Sequence, residues 1–203
     1  MQPLEPGRYY HIYNHANGND SLFYEERNYN FFLKKYRQHI APVASTLAYC
    51  LMPNHFHLLI KIRDEGELMN LESFPKFETL EKLDDREKQT SLFLSKQFAN
   101  LFSSYTQAFN RAYNRKGSLF YKNFKRKGIS SEKYLQKLVN YIHFNPVNHG
   151  FLNHPTDWKY SSFNAILSSG KTMIDKEAVM EWFGGVDNFR YCHRFPIDLD
   201  GFN

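Results

Sequence analysis

Two short apolar runs, STLAYCLM at 45–52 and HFHLLIKI at 55–62, are parted only by Pro53-Asn54. Both read as β-strands, with the Pro-Asn pair as the break between them. Upstream, RYYHIYNHA at 8–16 is aromatic and β-branched enough for a first strand, and NGND after it is a turn. Between that strand and the pair, Phe31, Phe32, Tyr36 and Ile40 recur at helical spacing over residues 28–41, until Pro42 ends the helix. The order strand, helix, strand, strand predicts an α+β fold: a ferredoxin-like antiparallel sheet with helices packed on it.

The remainder is less regular. Residues 64–90 are acid-rich and weakly periodic, an excursion from the core. Helical periodicity returns from Leu92 to Arg115, with Leu94, Phe98, Leu101, Phe102, Tyr105, Phe109 and Ala112 on one side and Gly117 as a stop. SLFYKNFKRKGI alternates as a strand would. SSEKYLQKLVNYIHFN reads as a short helix capped by Ser130 or Ser131 and closed by Pro146, and DKEAVMEWF as a helix ended by Gly184-Gly185. At 203 residues one domain is expected. Only Cys50 and Cys192 occur, in no metal or redox spacing. No apolar run approaches the roughly 20 residues of a membrane span, and MQPLEPGRYY lacks a signal segment. A cytoplasmic chain with no membrane partner is expected.

Chemistry concentrates in three places. In a strand, alternate side chains share a face, so His55 and His57 project one way while Phe56, Leu58, Ile60 and Ile62 project the other. Such a pair either packs or shares a divalent ion. On the later helix, Tyr141 and Asn145 stand one turn apart on one face. They either pack and cap, or offer a phenol and an amide oxygen to that ion. A phenol with the reference pKa is only about 0.1% ionised at pH 7, so as a nucleophile it needs help from a cation. Between these two places lie Arg111, Arg115, Lys116, Lys122, Lys125, Arg126 and Lys127 without one acidic residue, and Tyr121 and Phe124 are interleaved. With a net charge of +5, that composition suits unpaired nucleic acid, where cations meet phosphates and rings meet bases.

The chain resembles the HUH-class single-tyrosine transposases, and in particular their REP-associated branch. The resemblance rests on MPNHFHLL at 52–59, NRKGSLFYKNFK at 114–125, YIHFNPVNHGF at 141–151 and DWKYSSF at 157–163, in the family's order. It implies the HUH endonuclease fold over residues 1–165; the acidic stretch 64–90 reads as an insertion in it, and 166–203, beyond the resemblance, as a C-terminal helical extension. It also implies a DNA-strand transferase that cuts single-stranded DNA near hairpins through a 5′-phosphotyrosine. His55 and His57 then stand as metal-binding histidines, Asn145 as the third ligand, Tyr141 as the nucleophile, and Mg²⁺ or Mn²⁺ as the ion. Related enzymes act as dimers or as monomers, which leaves a homodimer open. The rival expectation is a non-catalytic or domesticated protein that holds hairpin DNA without cutting it.

Overall fold

The computed structural model of the chain describes residues 2–77 and 83–197. Residues 78–82 of the acidic stretch and 198–203 of the C-terminal extension lie outside the described residues.

Strands β1 (Tyr9–His15), β2 (Ala44–Leu51), β3 (His55–Ile62) and β4 (Lys125–Ile129) form one sheet in the order β2-β3-β1-β4. Neighbours within it all pair antiparallel. The register sets His15 opposite His55 and Tyr13 opposite His57, and across β1 it sets Tyr13 opposite Lys125 and His11 opposite Lys127. Cross-strand partners share a face. One face of the sheet therefore carries His11, Tyr13, His15, His55, His57, Lys125 and Lys127.

The other face is the apolar one. It is covered by α1 (Glu26–His39) and α3 (Leu83–Ala112), which also pack on each other. Phe56 from β3 is fully buried there, its ring 5.5 Å from Phe32 of α1 and 5.8 Å from Phe102 of α3. Phe56→Ala removes the ring at this junction, and we expect it to cost about 3–5 kcal/mol, read as a lowered urea midpoint. A cost below about 1 kcal/mol would mean that this face does not form the core.

The histidine face is roofed too. Helix α4 (Glu132–Asn148) lies across β2 and β3 and buries Leu135, Leu138, Val139 and Ile142. The segment 157–163 fastens beside it: Trp158 Nε1 donates to the Leu51 carbonyl at 3.0 Å, and Leu51 N donates to the Tyr160 carbonyl at 2.9 Å. Beyond lie α5 (Phe163–Leu167), α6 (Lys176–Phe183) and α7 (Val186–Cys192). The Asp175 side chain accepts from Ala178 N at 3.1 Å and caps α6, whose C-terminus turns at Gly184 with φ 66°. Among the described residues, no helix is long and apolar enough to cross a membrane.

Four elements differ from the reading of the sequence. Helix α3 begins at Leu83 rather than Leu92, and the acidic stretch further holds a short helix, α2 (Glu65–Met69), that buries Leu68. Asp84 and Asp85 sit in the first turn of α3, where carboxylates suit the positive end of the helix dipole. Helix α4 continues through Pro146 to Asn148, and the chain turns at Gly150 with φ 71°. A proline this close to the end forfeits only one late intrahelical bond. Strand β4 covers only 125–129, because 118–124 is a loop joined to the end of β1 by the isolated bridge Ala16–Phe120.

Candidate active site

Strand β3 and helix α4 bring four side chains together. His55 and His57 stand on β3 with ring centroids 5.2 Å apart and nearly perpendicular. From α4, Asn145 Oδ1 lies 2.8 Å from His55 Nε2. One turn earlier, the Tyr141 ring meets His57 edge-on at 5.4 Å, and its phenol is hydrogen-bonded to the Asn145 side chain. All four belong to one chain, and Asn145, His55 and His57 are buried.

A neutral imidazole has a single N–H. The two atoms facing His55, Asn54 Oδ1 and Asn145 Oδ1, are both acceptors at 2.8 Å. One N–H can serve only one of them. With Nδ1–H given to Asn54, the Nε2 lone pair faces the lone pairs of Asn145 Oδ1. In that tautomer a nitrogen and an oxygen lone pair point into the same space, as two ligands of one cation would; with Nε2–H given to Asn145 instead, the contact is an ordinary hydrogen bond. Two ligands at right angles on an ion with bonds of about 2.1 Å stand about 3.0 Å apart, close to the separation here. His57 Nδ1 lies 2.9 Å from His11 Nε2, and a hydrogen bond donated from His57 to His11 leaves the other nitrogen of His57 free to ligate. The donor set thus fits a divalent ion. It includes an amide, consistent with the finding that no three His, Cys, Asp or Glu side chains among the described residues are arranged to hold a metal.

Electrostatics agree with that use. Burial pushes His55 down to about 4, the nearby His15 and His149 add to this, and Asn145 opposes it. Burial, followed by His11, holds His57 well below the ordinary range. His11 is pushed down to about 3 by burial and by the charge of Lys127. All three imidazoles are neutral at pH 7, as ligation requires. The Tyr141 phenol moves the other way: burial raises it, and the bond to Asn145 only partly offsets the rise.

Several participants are invisible to sequence reasoning. His11 is one. His15 stacks on His55 at 4.8 Å, and His149, one turn beyond Asn145, stands 5.0 Å from His55. A second polar chain lies behind α4. His193 Nδ1 donates to the Phe189 carbonyl at 2.8 Å, so its Nε2 accepts from His143 Nδ1 at 2.9 Å. His143 Nε2 then accepts from Ser162 Oγ at 2.8 Å, and Ser162 accepts from Tyr49 N at 2.9 Å. Ser162 and His143 are fully buried, so this Ser-His pair fastens α4 to β2 and α7 and meets no substrate. Asn140, alongside, donates to the Cys192 carbonyl at 2.7 Å and accepts from Ile197 N at 3.1 Å.

The chain of histidines has a pH signature. Burial lowers His193 to about 4, so between about pH 6.5 and 4 the unfolded chain binds a proton that the folded chain does not. Stability falls as pH falls through that window. We expect a lower urea midpoint at pH 5 than at pH 7; equal midpoints would contradict the neutral buried pair.

The basic segment divides into two sets. Arg111, Lys116, Lys122, Lys125, Lys127 and Tyr121 are exposed, and Lys125 and Lys127 extend the histidine face. Three others are committed within the chain. Arg115 pairs with Asp20 and bonds the Ser118 carbonyl at 3.0 Å, holding the 114–118 turn. Arg126 lies on the opposite face, 2.8 Å from Ser95 Oγ, and Phe124 packs on Phe98 at 5.0 Å.

No family model matches the chain. Over 121 residues it is 28% identical to a protein of Haemophilus influenzae (strain ATCC 51907 / DSM 11121 / KW20 / Rd) named as a REP-associated tyrosine transposase. That match covers 59% of this chain and spans 58% of the relative's length. Among solved structures, a REP-associated tyrosine transposase bound to a REP hairpin superposes with a TM-score of 0.52. The identity there is 18%, over 85% of this chain and 87% of that one. The chain is thus similar in sequence, over about three fifths of its length, to a protein named for the family its motifs resemble, and similar in fold, over most of its length, to a solved structure of that name.

Proposed function

We propose that the chain cleaves and rejoins single-stranded DNA near hairpins, with Tyr141 as nucleophile and His55, His57 and Asn145 as the ligands of a Mg²⁺ or Mn²⁺ ion. One observation carries this reading: the phenol and the amide from α4 meet the histidine pair of β3 within a single chain. This arrangement supports a site assembled within one chain. Hairpin DNA as substrate is supported by the related structure, which holds a REP hairpin. It is supported also by Lys125 and Lys127, which offer two cations to phosphates on the histidine face.

In the proposed reaction the Tyr141 oxygen attacks phosphorus as its proton departs. The bond from phosphorus to the 3′ oxygen breaks, and that oxygen leaves as a 3′-hydroxyl after taking up a proton. The divalent ion that His55, His57 and Asn145 would hold would supply positive charge to the phosphate. Asn145 orients the phenol through their hydrogen bond, and His57 packs against the ring's edge. Because one phosphodiester is exchanged for another, a different 3′-hydroxyl can reverse the step, joining DNA and restoring the phenol.

The test is a denaturing gel of the full chain incubated with hairpin-flanked single-stranded DNA and Mn²⁺. A covalent protein–DNA band that disappears with a chelator is expected. Hairpin binding without cleavage across a broad panel of flanking sequences would overturn the reading in favour of a binding protein. Cleavage without a covalent band would reassign the attack to water.

A further inference from the structure

The 118–124 loop touches both sides of the sheet. On the histidine side, the Tyr121 ring lies 6.2 Å from His15, which stacks on His55. On the other side, the loop and α3 enclose a cleft of about 530 Å³, with Phe102, Thr106, Gln107, Tyr121, Lys122 and Phe124 in its walls. We propose that this cleft receives one unpaired base of the DNA strand as it leaves the catalytic face.

Three observations support that occupant. The first is the walls. Tyr121 is 51% exposed, and the half-buried Phe102 and Phe124 line the cleft beside it. Aromatic rings stack on any base, each contact contributing about 1–3 kcal/mol. The second is charge. Among the described residues, no acidic side chain lines the cleft, and Lys122 adds a cation at its edge where a phosphate would follow the base. On α3, residues 97–110 (QFANLFSSYTQAFN) contain no charged side chain, although Ser103 and Gln107 are exposed. Surface helices usually carry charge on their outer face. Here hydroxyls and an amide stand in its place, groups able to bond a base edge at modest desolvation cost. The third is continuity. Tyr121 belongs both to the cleft and to the neighbourhood of His55, so a strand gripped beside the histidines passes this ring before entering the cleft.

The inference rests on the proposed function for its source of single strand, and its test separates the two. A short fluorescein-labelled oligothymidylate is titrated with the full chain and followed by anisotropy. Thr106→Trp and, at an exposed position, Gln107→Trp fill the cleft from its rim; circular dichroism checks that both variants fold. Each is expected to weaken oligothymidylate binding about tenfold, one stacked base's worth, and to leave binding of a blunt duplex unchanged. Photocrosslinking from a single 5-iodouracil is expected to attach to Tyr121 or Phe124. Wild-type affinity in both tryptophan variants, equal loss for duplex and single strand, or crosslinks only outside residues 102–124 would overturn the cleft. If the tryptophan variants lose affinity while the wild type forms no Tyr141 adduct with hairpin DNA, the cleft stands and the proposed function falls. If the wild type forms the adduct while the cleft variants bind oligothymidylate normally, the proposed function stands and the cleft falls.

Discussion

Tyr141→Phe is expected to abolish the covalent protein–DNA band and to lower strand cleavage by about 10⁴-fold or more, with hairpin affinity within about twofold of wild type. The substitution removes one oxygen and keeps the ring, so the edge-on contact with His57 and the half-buried seat on α4 survive. What goes is the attacking atom and its hydrogen bond to Asn145, worth about 1 kcal/mol to stability. A group that acts as nucleophile takes most of the rate with it, because no other part of the machinery can substitute for the bond it forms. The pH profile gives a second check. Burial raises the Tyr141 phenol above its ordinary range, so cleavage by wild type should climb with pH across the alkaline side of neutrality. A Phe variant that still forms the covalent band at wild-type yield would remove Tyr141 from the mechanism.

What can be read from the sequence, and what cannot, follows from range. The two faces of β3 are legible because alternation is local: Phe56 sits in the apolar core and His55 and His57 on the reverse. The Tyr141–Asn145 face of α4 is legible for the same reason, one helical turn being a fixed spacing. The contact between His11 and His57 joins residues 46 apart, and that between His143 and His193 joins residues 50 apart. No spacing rule reaches so far; only the register of β1 on β3 and the packing of α7 produce these pairs. Helix α3 starts at Leu83, ahead of the periodicity that begins at Leu92, because its first turns are acidic, and charge looks like loop until the helix dipole is considered. The basic segment reads as one surface because composition does not say which side of a strand a residue takes. Lys125 and Lys127 fall beside the histidines, whereas Arg126 between them reaches Ser95 on the far side.

The second large effect concerns the ion. His55→Ala should abolish Mn²⁺ binding measured by titration calorimetry and lower metal-dependent cleavage by about 10³-fold, the factor corresponding to roughly 4 kcal/mol of charge stabilisation. The substitution deletes the nitrogen that faces Asn145 Oδ1 and leaves two acceptor oxygens, on Asn54 and Asn145, without their partner. Asn145→Asp is the informative companion. It keeps an oxygen at the same place and adds a negative charge, so Mn²⁺ affinity should hold or rise, whereas a purely structural role for the His55–Asn145 contact predicts loss in both variants. Proton competition separates the alternatives further. An imidazole with the ordinary pKa near 6.5 would cost a site affinity as pH falls from 8 to 6. His55, lowered to about 4 by burial, stays deprotonated throughout that range, and His57 lies well below its ordinary value for the same reason. The Mn²⁺ dissociation constant should therefore be nearly flat from pH 8 to 6 and worsen only as the pH approaches 4. A steep dependence near pH 6.5 would show that the ion is not held by this buried pair.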